Sequence, residues 1–175
     1  ERLLGATLDA LHAAAAAAGH DYDVTVVDDA STDATAAIAA RHGARVLPVD
    51  LRHIAAVRNA GAAAATGDYF VFVDADTLVN APVVIAALRA LDEGAVGGGA
   101  RVKWEGRLPW WGRVAQWSVL FWMRLAGLAA GCFFFARREA FFAAGGFEER
   151  VYASEELFLS RALKRHGKFV ILPHT

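Results

Sequence analysis

The chain has 175 residues, a formal net charge of −1 from 18 basic and 19 acidic side chains, and one cysteine. A chain of this length builds a single domain with its own core, and the balanced charge excludes the basic excess typical of nucleic-acid-binding proteins. One cysteine excludes an intrachain disulfide and fits a cytoplasmic protein, as does the absence of signal-peptide character in the first residues.

Apolar periodicity and turn residues predict helices and strands that alternate along the chain. The predicted helices and strands, in chain order, cover 3–19, 24–27, 31–41, 44–49, 54–65, 69–73, 82–92, 96–104, 109–129, 132–136, 137–144, 154–166 and 169–172. This alternation predicts an α/β fold with a mostly parallel central sheet and helices on both faces. Neither an internal repeat nor a linker divides residues 1–175, so one domain is expected.

Two of the predicted strands end in paired acids. Asp28 and Asp29 close the run V-T-V-V-D-D, and Asp74 and Asp76 close Y-F-V-F-V-D-A-D. Ligands bind at the carboxyl ends of parallel strands, so both pairs are expected at one rim of the sheet. Asp74 and Asp76 project to the same side of an extended segment and can share a hard divalent cation. The alternative is a solvated turn whose acids cap the next helix.

Adjacent carboxylates at Asp28 and Asp29 repel each other unless donors bind them, which suits a nucleobase or a ribose. The residues that follow, 31–33, are equally typical of a helix N-cap. Arg58, in the segment V-R-N-A-G, offers a planar fork of donors for a phosphate or a base edge. The alternative for Arg58 is a surface arginine beside an incidental asparagine.

Glu155 and Glu156 follow Ser154 at the start of a predicted helix. One interpretation is structural, with a serine cap and two acids favoured by the helix dipole. The functional interpretation makes one of the two glutamates a general base. Neighbouring residues on a helix point about 100° apart, so only one of them can face a pocket.

Taken in order, five segments resemble the family 2 glycosyltransferases of the GT-A fold, and the resemblance covers nearly the whole chain. They are V-V-D-D-A-S-T-D-A-T, V-R-N-A-G, F-V-D-A-D-T, G-C-F-F-F-A-R-R-E-A-F and S-E-E-L-F-L-S-R-A-L. The resemblance implies a GT-A-like nucleotide-diphospho-sugar transferase that inverts the sugar's stereochemistry. It also implies a UDP- or GDP-sugar donor, a saccharide or lipid-linked acceptor, and Mn²⁺ or Mg²⁺ as cofactor.

The same resemblance assigns roles to the matched residues. Asp28 and Asp29 match the acids that bind the nucleoside, and Arg58 matches a residue near the nucleotide. The pair Asp74 and Asp76 matches the D-x-D segment that holds the metal. Glu156 matches the base, at the second position of the family's Glu-Asp pair.

Two features depart from the family pattern. The family carries aspartate at the position of Glu156, which leaves Glu155 open as the base. The chain also starts at a segment similar to the helix after the family's first strand, so a truncated domain lacking that strand is expected. Residues 173–175 end where the family continues, and His174 there is a candidate third metal ligand.

The segment 109–129 carries four of the five tryptophans. As a helix it places Arg113, Gln116 and Arg124 on one side and apolar residues on the other. Its two arginines argue against a membrane-spanning helix. It is consistent with an interfacial helix in peripheral contact with the cytoplasmic face of a membrane, and equally with a core helix that shapes the acceptor site.

Two other interpretations remain open. D-A-D-T-L after an apolar strand also resembles the first motif of haloacid-dehalogenase-type phosphatases, with Asp74 as nucleophile and Asp76 as proton donor. That family places its acidic strand end after this motif, whereas Asp28 and Asp29 precede it. The third interpretation is a truncated domain that binds nucleotide without turnover.

Overall fold

The computed structural model describes residues 1–101, 110, 132–151 and 154–173. Most element bounds lie within two or three residues of those predicted. The helices are α1 (Leu4–Ala18), α2 (Thr35–Arg41), α3 (Ile54–Ala64), α4 (Ala81–Asp92), α5 (Arg138–Ala143) and α6 (Glu155–Leu163); the strands are β1 (Thr25–Asp29), β2 (Arg45–Val49), β3 (Tyr69–Val73), β4 (Gly97–Ala100), β5 (Phe133–Arg137) and β6 (Phe169–Leu172). The helix predicted at 109–129, apart from Trp110, lies outside the described residues.

The described strands form two sheets rather than one. β1 and β2 pair in parallel, with Thr25 opposite Arg45 and Asp29 opposite Val49. The other four strands take the order β3-β5-β4-β6, in which β5 is antiparallel to β3 and β4, and β4 is parallel to β6. Strands β3, β4 and β6 therefore share one direction and β5 is reversed. The reversal is not visible in the sequence, because a buried strand is a continuous apolar run in either direction.

β5 supplies phenylalanine to the core on both faces of the larger sheet. Phe134 packs in a cluster with Phe141 of α5 and Leu159 of α6. Phe133 and Phe135 pack on the opposite face, in a cluster that contains residues of α4 and α1. Alternate strand residues point to opposite faces, so this one strand joins two layers of core.

The glycines of β4 allow close packing between strands. A Cβ atom at Gly98 would lie 2.1 Å from the carbonyl oxygen of Val170, and one at Gly97 would lie 2.7 Å from that of Phe135. Real Cβ atoms do not approach backbone so closely, so the predicted glycine-rich strand start has a steric reason.

Helix α4 begins where the sequence predicts. Asn80 is its N-cap, and its side-chain Oδ1 accepts a hydrogen bond from the Val83 N–H at 3.0 Å, with Pro82 in the first turn. The cap fixes the end of the loop that carries Asp74 and Asp76. Helix α2, by contrast, begins at Thr35 and not at Ser31, because residues 31 and 32 have no regular structure and residues 33 and 34 form a bend. Within the described residues, no helix is both long and apolar enough to cross a membrane.

Candidate functional site

One cavity is lined by the loop after β3 and by the first residue of α2, the helix that follows β1. The cavity has a volume of about 720 Å³ and is lined by Thr35 after β1, by Asp74 and Asp76 after β3, and by Ile54 at the start of α3. Asp76 is exposed and Asp74 is half-buried. Two carboxylates thus stand at an open surface beside the starts of two helices.

Arg58 of α3 joins two parts of this site. Its Nη2 donates to Asp74 Oδ1 at 2.6 Å, and its Nη1 donates to Glu155 Oε1 at 2.7 Å. Its guanidinium carbon also lies 5.3 Å from the centre of the Phe147 ring, which adds a cation–π contact. The Arg58 side chain is only 10% exposed, so its interpretation as a surface arginine is wrong.

The charge at this network is not balanced. One guanidinium meets the carboxylates of Asp74 and Glu155, and Asp76 follows two residues after Asp74. The group therefore carries excess negative charge at the mouth of the cavity, which favours a bound cation.

Glu155 and Glu156 have different surroundings. The Glu155 side chain is buried and paired with Arg58. Glu156 is half-buried, and its burial raises the pKa of its carboxyl, with a further increase from the neighbouring Glu155 carboxylate. The two side chains thus separate as expected for helix neighbours.

The serine cap predicted for this helix is not formed. Ser154 occupies the N-cap position, but its side chain makes no capping hydrogen bond. Its φ of 68° lies in the left-handed region, which costs energy for a residue with a Cβ atom. The structural interpretation of Glu155 and Glu156 therefore lacks the serine cap that it requires. Ser154, directly before them, has a strained backbone instead.

The acids after β1 bind backbone amides. Asp28 Oδ1 accepts from the Ser31 N–H at 3.3 Å, and Asp29 Oδ1 accepts from the Leu51 N–H at 2.7 Å. Asp33 Oδ1 accepts from the Thr35 N–H at 3.0 Å, and hydrogen bonding by the Thr35 side chain, and then by its N–H, lowers the pKa of Asp33. The N-cap interpretation of 31–33 thus holds only for Asp33, one residue before the cap position Ala34.

Asn59 was not expected to matter, yet it holds a loop of the site. Its Oδ1 accepts from the Phe147 N–H at 2.9 Å, and its Nδ2 donates to the Phe147 carbonyl at 2.9 Å and to Glu149 Oε1 at 2.8 Å. Gly146 has a φ of 72°, and a Cβ atom there would lie 2.7 Å from Asn59 Oδ1. The signal in the sequence was the pair of glycines before Phe147, because glycine is favoured where the backbone has a positive φ or lies close to another group.

The metal-ligating residues are few. The described residues contain no group of three His, Cys, Asp or Glu side chains that could hold an ion, and His174 lies outside them. Cys132 is next to the acid pair: its carbonyl accepts from the Asp74 N–H at 3.2 Å. Burial raises the pKa of the Cys132 thiol, and so does the Asp74 carboxylate.

The sequence and the fold match known proteins. The model of the glycosyl transferase family 2 matches residues 1–145, which include both acid pairs and Arg58. The chain therefore belongs to glycosyl transferase family 2, and the phosphatase interpretation of Asp74 and Asp76 is wrong. Glu155 and Glu156 lie beyond the matched residues.

Uncharacterised glycosyltransferases of Mycobacterium tuberculosis and Mycobacterium bovis are 36% identical to this chain over 116 residues, covering 65% of the chain and 53% of each relative. The chain thus spans about half the length of these curated relatives.

Solved glycosyltransferases share the fold. A mannosyltransferase from Pyrobaculum calidifontis, in complex with GDP-Man and Mn²⁺, has a TM-score of 0.73 at 20% identity, over 98% of this chain and 51% of its own. The glucosyl-3-phosphoglycerate synthase of M. tuberculosis, with Mn²⁺, UDP and glucosyl-3-phosphoglycerate, has a TM-score of 0.68 at 23% identity, over 99% and 66%. The α/β fold is therefore GT-A-like, as expected.

Proposed function

We propose that this chain carries the catalytic site of a glycosyltransferase that moves a sugar from a nucleotide-diphosphate donor to an acceptor hydroxyl. The observation that carries the proposal is the Arg58 network. Arg58 joins Asp74, of the acid pair after β3, to Glu155, which adjoins the half-buried Glu156. One buried side chain thereby holds a donor-side acid at the same site as Glu155, the neighbour of the candidate base.

The acid pair fits a divalent cation by its chemistry. Asp74 and Asp76 offer only hard oxygen ligands, which suit Mn²⁺ or Mg²⁺, and the excess negative charge beside Arg58 favours binding. The complexes of the similar mannosyltransferase and synthase contain Mn²⁺. When bound, the ion would supply positive charge for the departing diphosphate.

Glu156 is the proposed base. In the reaction the acceptor O–H gives its proton to Glu156, its oxygen bonds to the anomeric carbon, and the bond from that carbon to the diphosphate breaks. The raised pKa of Glu156 makes it a stronger base than an ordinary glutamate once ionised. Glu155 cannot take this part while Arg58 holds its carboxylate, so its role is to position Arg58.

The remaining roles follow from the matched segments. Asp28 and Asp29 bind the nucleoside, and their loop hydrogen bonds preorganise them for it. The donor is a UDP- or GDP-sugar, in line with the nucleotides in the similar structures. The acceptor is a saccharide or a lipid-linked molecule.

Segment 109–129 has two proposed roles that one experiment separates. The chain is a cytoplasmic enzyme in this proposal, and the segment either contacts the membrane surface or shapes the acceptor site. Co-sedimentation with anionic lipid vesicles, lost when Arg113 and Arg124 are both changed to Glu, supports membrane contact. Unchanged sedimentation with altered acceptor KM supports the acceptor site.

Thermal shift with UDP and GDP, each with and without Mn²⁺, tests the donor site. A ligand at 100 times its Kd adds about 2.7 kcal/mol of stability, so a shift that requires Mn²⁺ is expected for one nucleotide. Asp76→Asn should abolish the metal dependence without unfolding the chain, because Asp76 is exposed and outside the Arg58 network. Glu93→Gln, an exposed acid on the far end of α4, is the control. An equal shift in the wild type and Asp76→Asn would contradict the metal assignment.

The base is tested by nucleotide release during transfer. Glu156→Gln should slow transfer by about 10²–10⁴-fold while nucleotide still binds. In the wild type, the transfer rate should rise with pH, because Glu156 must lose its proton to act as a base. The rise should occur at pH values above the usual pKa of glutamate, because the pKa of Glu156 is raised. Nucleotide binding with no turnover in the wild type would instead support the inactive nucleotide-binding domain, which the Glu-for-Asp departure at Glu156 favours.

A further inference from the structure

Two consecutive residues of α3 contact the same phenylalanine. Arg58 lies over the Phe147 ring, with its guanidinium carbon 5.3 Å from the ring centre. Asn59 holds the Phe147 backbone: its Oδ1 accepts from the Phe147 N–H and its Nδ2 donates to the Phe147 carbonyl, both at 2.9 Å. Neighbouring helix residues point about 100° apart, so the same turn of α3 reaches both the ring and the backbone of Phe147.

The two hydrogen bonds between Asn59 and the Phe147 backbone, the Asn59 clamp, fix where Phe147 lies. One side-chain amide satisfies both polar groups of this backbone. Phe147 therefore cannot shift without breaking two hydrogen bonds and leaving polar groups of a buried residue unpaired. Gly146 permits the clamp, because a Cβ atom there would lie 2.7 Å from Asn59 Oδ1.

The Phe147 ring also packs against the strand that leads to Asp74. Phe147 is 2% exposed, and its ring centre lies 5.0 Å from that of Phe72 in an edge-to-face contact. Asp74 extends β3, because its N–H donates to the Cys132 carbonyl. Side chains two positions apart on an extended segment project to the same side, so Phe72 and Asp74 do. The Phe147 ring therefore stands on the side of β3 from which Asp74 projects toward Arg58.

An aromatic ring suits the remaining side of the Arg58 guanidinium. Asp74 Oδ1 accepts from one of its nitrogens at 2.6 Å, and Glu155 Oε1 accepts from another at 2.7 Å. The face of an aromatic ring carries partial negative charge and attracts a cation. Because the Arg58 and Glu155 side chains are 10% and 4% exposed, solvent screens these attractions little. The ring therefore holds the cation without taking its N–H groups from the carboxylates.

We infer that Phe147 is a positioning residue for glycosyl transfer, which fixes the Arg58 guanidinium between its two carboxylates, and that the Asn59 clamp acts through Phe147. Arg58 then aligns the acid pair after β3 with the start of α6, where Glu156 lies. The role in transfer rests on the proposed function, whereas the placement of Arg58 by the ring does not depend on it.

The placement of Arg58 is tested in the free protein by NMR of ¹⁵N-labelled arginine side chains. Protons over the face of an aromatic ring are shifted upfield by its ring current, so the resonance that disappears in Arg58→Lys should carry this shift. In Asn59→Ala the ring is still present, yet the shift should shrink because Phe147 is no longer held. Asn80→Ala, which removes the cap of α4, is the matched control and should leave the resonance in place. An unchanged Arg58 resonance in Asn59→Ala would overturn the inference.

The role in the reaction is tested with Phe147→Leu and a matched phenylalanine. Phe70 is buried in the same core and lies under a different arginine, Arg138, whose guanidinium carbon is 5.7 Å from the Phe70 ring centre. Phe70→Leu therefore removes a ring and a cation–π contact of the same kind. Hydrolysis of UDP-glucose and of GDP-mannose with Mn²⁺ is followed by nucleotide release. In Phe147→Leu, kcat should fall by about tenfold to 10²-fold because the site charges are misplaced. KM should change less than kcat, since the loss falls on the transition state.

The outcomes separate the positioning role from packing and from the proposed function. Equal losses of kcat in Phe147→Leu and Phe70→Leu would overturn the positioning role, because both would then reflect lost packing alone. If Phe147→Leu does not fold, Asn59→Ala decides, and a lower kcat with an unchanged Arg58 resonance would contradict action through Phe147. A wild type that hydrolyses neither nucleotide-sugar would count against the proposed function, while the Arg58 resonance would still decide whether the ring places the guanidinium.

Discussion

The acids after β1 and those after β3 begin from the same sequence pattern and end in different surroundings. Asp28, Asp29 and Asp33 accept hydrogen bonds from backbone amides of nearby loops. Asp74 instead shares a buried guanidinium with Glu155, 81 positions further along the chain. The acids after β1 hold the backbone of nearby loops, while Asp74 is held by a charged side chain.

The difference teaches how a strand-end acid obtains its function. An acid held by amides stays anionic at little cost and is a fixed acceptor for a ligand's donors. An acid held by a buried arginine depends on every member of its network, because each partner removed leaves a charge unpaired. Perturbation should therefore be severe at β3 and mild at β1, and the following variants test that order from the largest effect to the smallest.

Arg58→Met should cause the largest loss in the free energy of unfolding. It leaves two carboxylates without their shared cation, and breaking a buried pair in this way costs about 3–5 kcal/mol. Urea unfolding followed by circular dichroism measures the change. Arg89→Met is the control, because Arg89 pairs with Glu93 on an exposed helix surface and should cost about 0.5 kcal/mol or less. Similar losses of unfolding free energy in Arg58→Met and Arg89→Met would contradict the prediction that the Arg58 network is the most sensitive part of the site.

Glu155→Gln should have the second largest effect. It weakens the buried, charged hydrogen bond from Arg58, which should lower the free energy of unfolding by about 1–3 kcal/mol. Its neighbour is the control: Glu156→Gln should leave the free energy of unfolding at pH 7 unchanged or slightly higher. The raised pKa of Glu156 means that its stabilising contribution is present at low pH and is lost as pH rises through the folded-state value. Glutamine never ionises and so escapes that loss. Equal destabilisation by both variants would show that Glu156 is also held by the network.

Asn59→Ala should have an intermediate effect. It removes the two hydrogen bonds to the Phe147 backbone and leaves buried groups of the loop unpaired, at about 1–3 kcal/mol. The measurement is hydrogen exchange at 145–149, which should rise there before it rises elsewhere. Asn80→Ala, which removes one cap of α4, is a matched asparagine control whose effect should stay near that helix.

Asp29→Asn should be the mildest. The amide oxygen can still accept from the Leu51 N–H, so the free energy of unfolding should fall by about 1 kcal/mol or less. Nucleotide affinity, measured by calorimetry, should fall more than stability does. A loss of stability as large as that of Arg58→Met would mean that both acid groups act through charge.

The sequence predicted what local rules decide. Alternating apolar runs located the elements, Pro82 marked the start of α4, and the strand ends located both acid pairs. The reversed direction of β5 and the two partners of Arg58 depend on contacts between distant segments, so no local propensity records them. The start of α2 was misplaced because Ser, Thr and Asp favour turns as well as caps. Asn59 was missed because its partner is backbone, which every residue carries.

The chain's one thiol gives the site a natural reporter. Cys132 is half-buried beside Asp74, and its raised pKa leaves little thiolate at neutral pH, so alkylation by iodoacetamide should be slow. Any event that lowers the negative charge of the acid pair should lower that pKa and quicken the labelling. Alkylation rates of this one cysteine among the 175 residues therefore offer a way to follow the electrostatic state of the acid pair in solution.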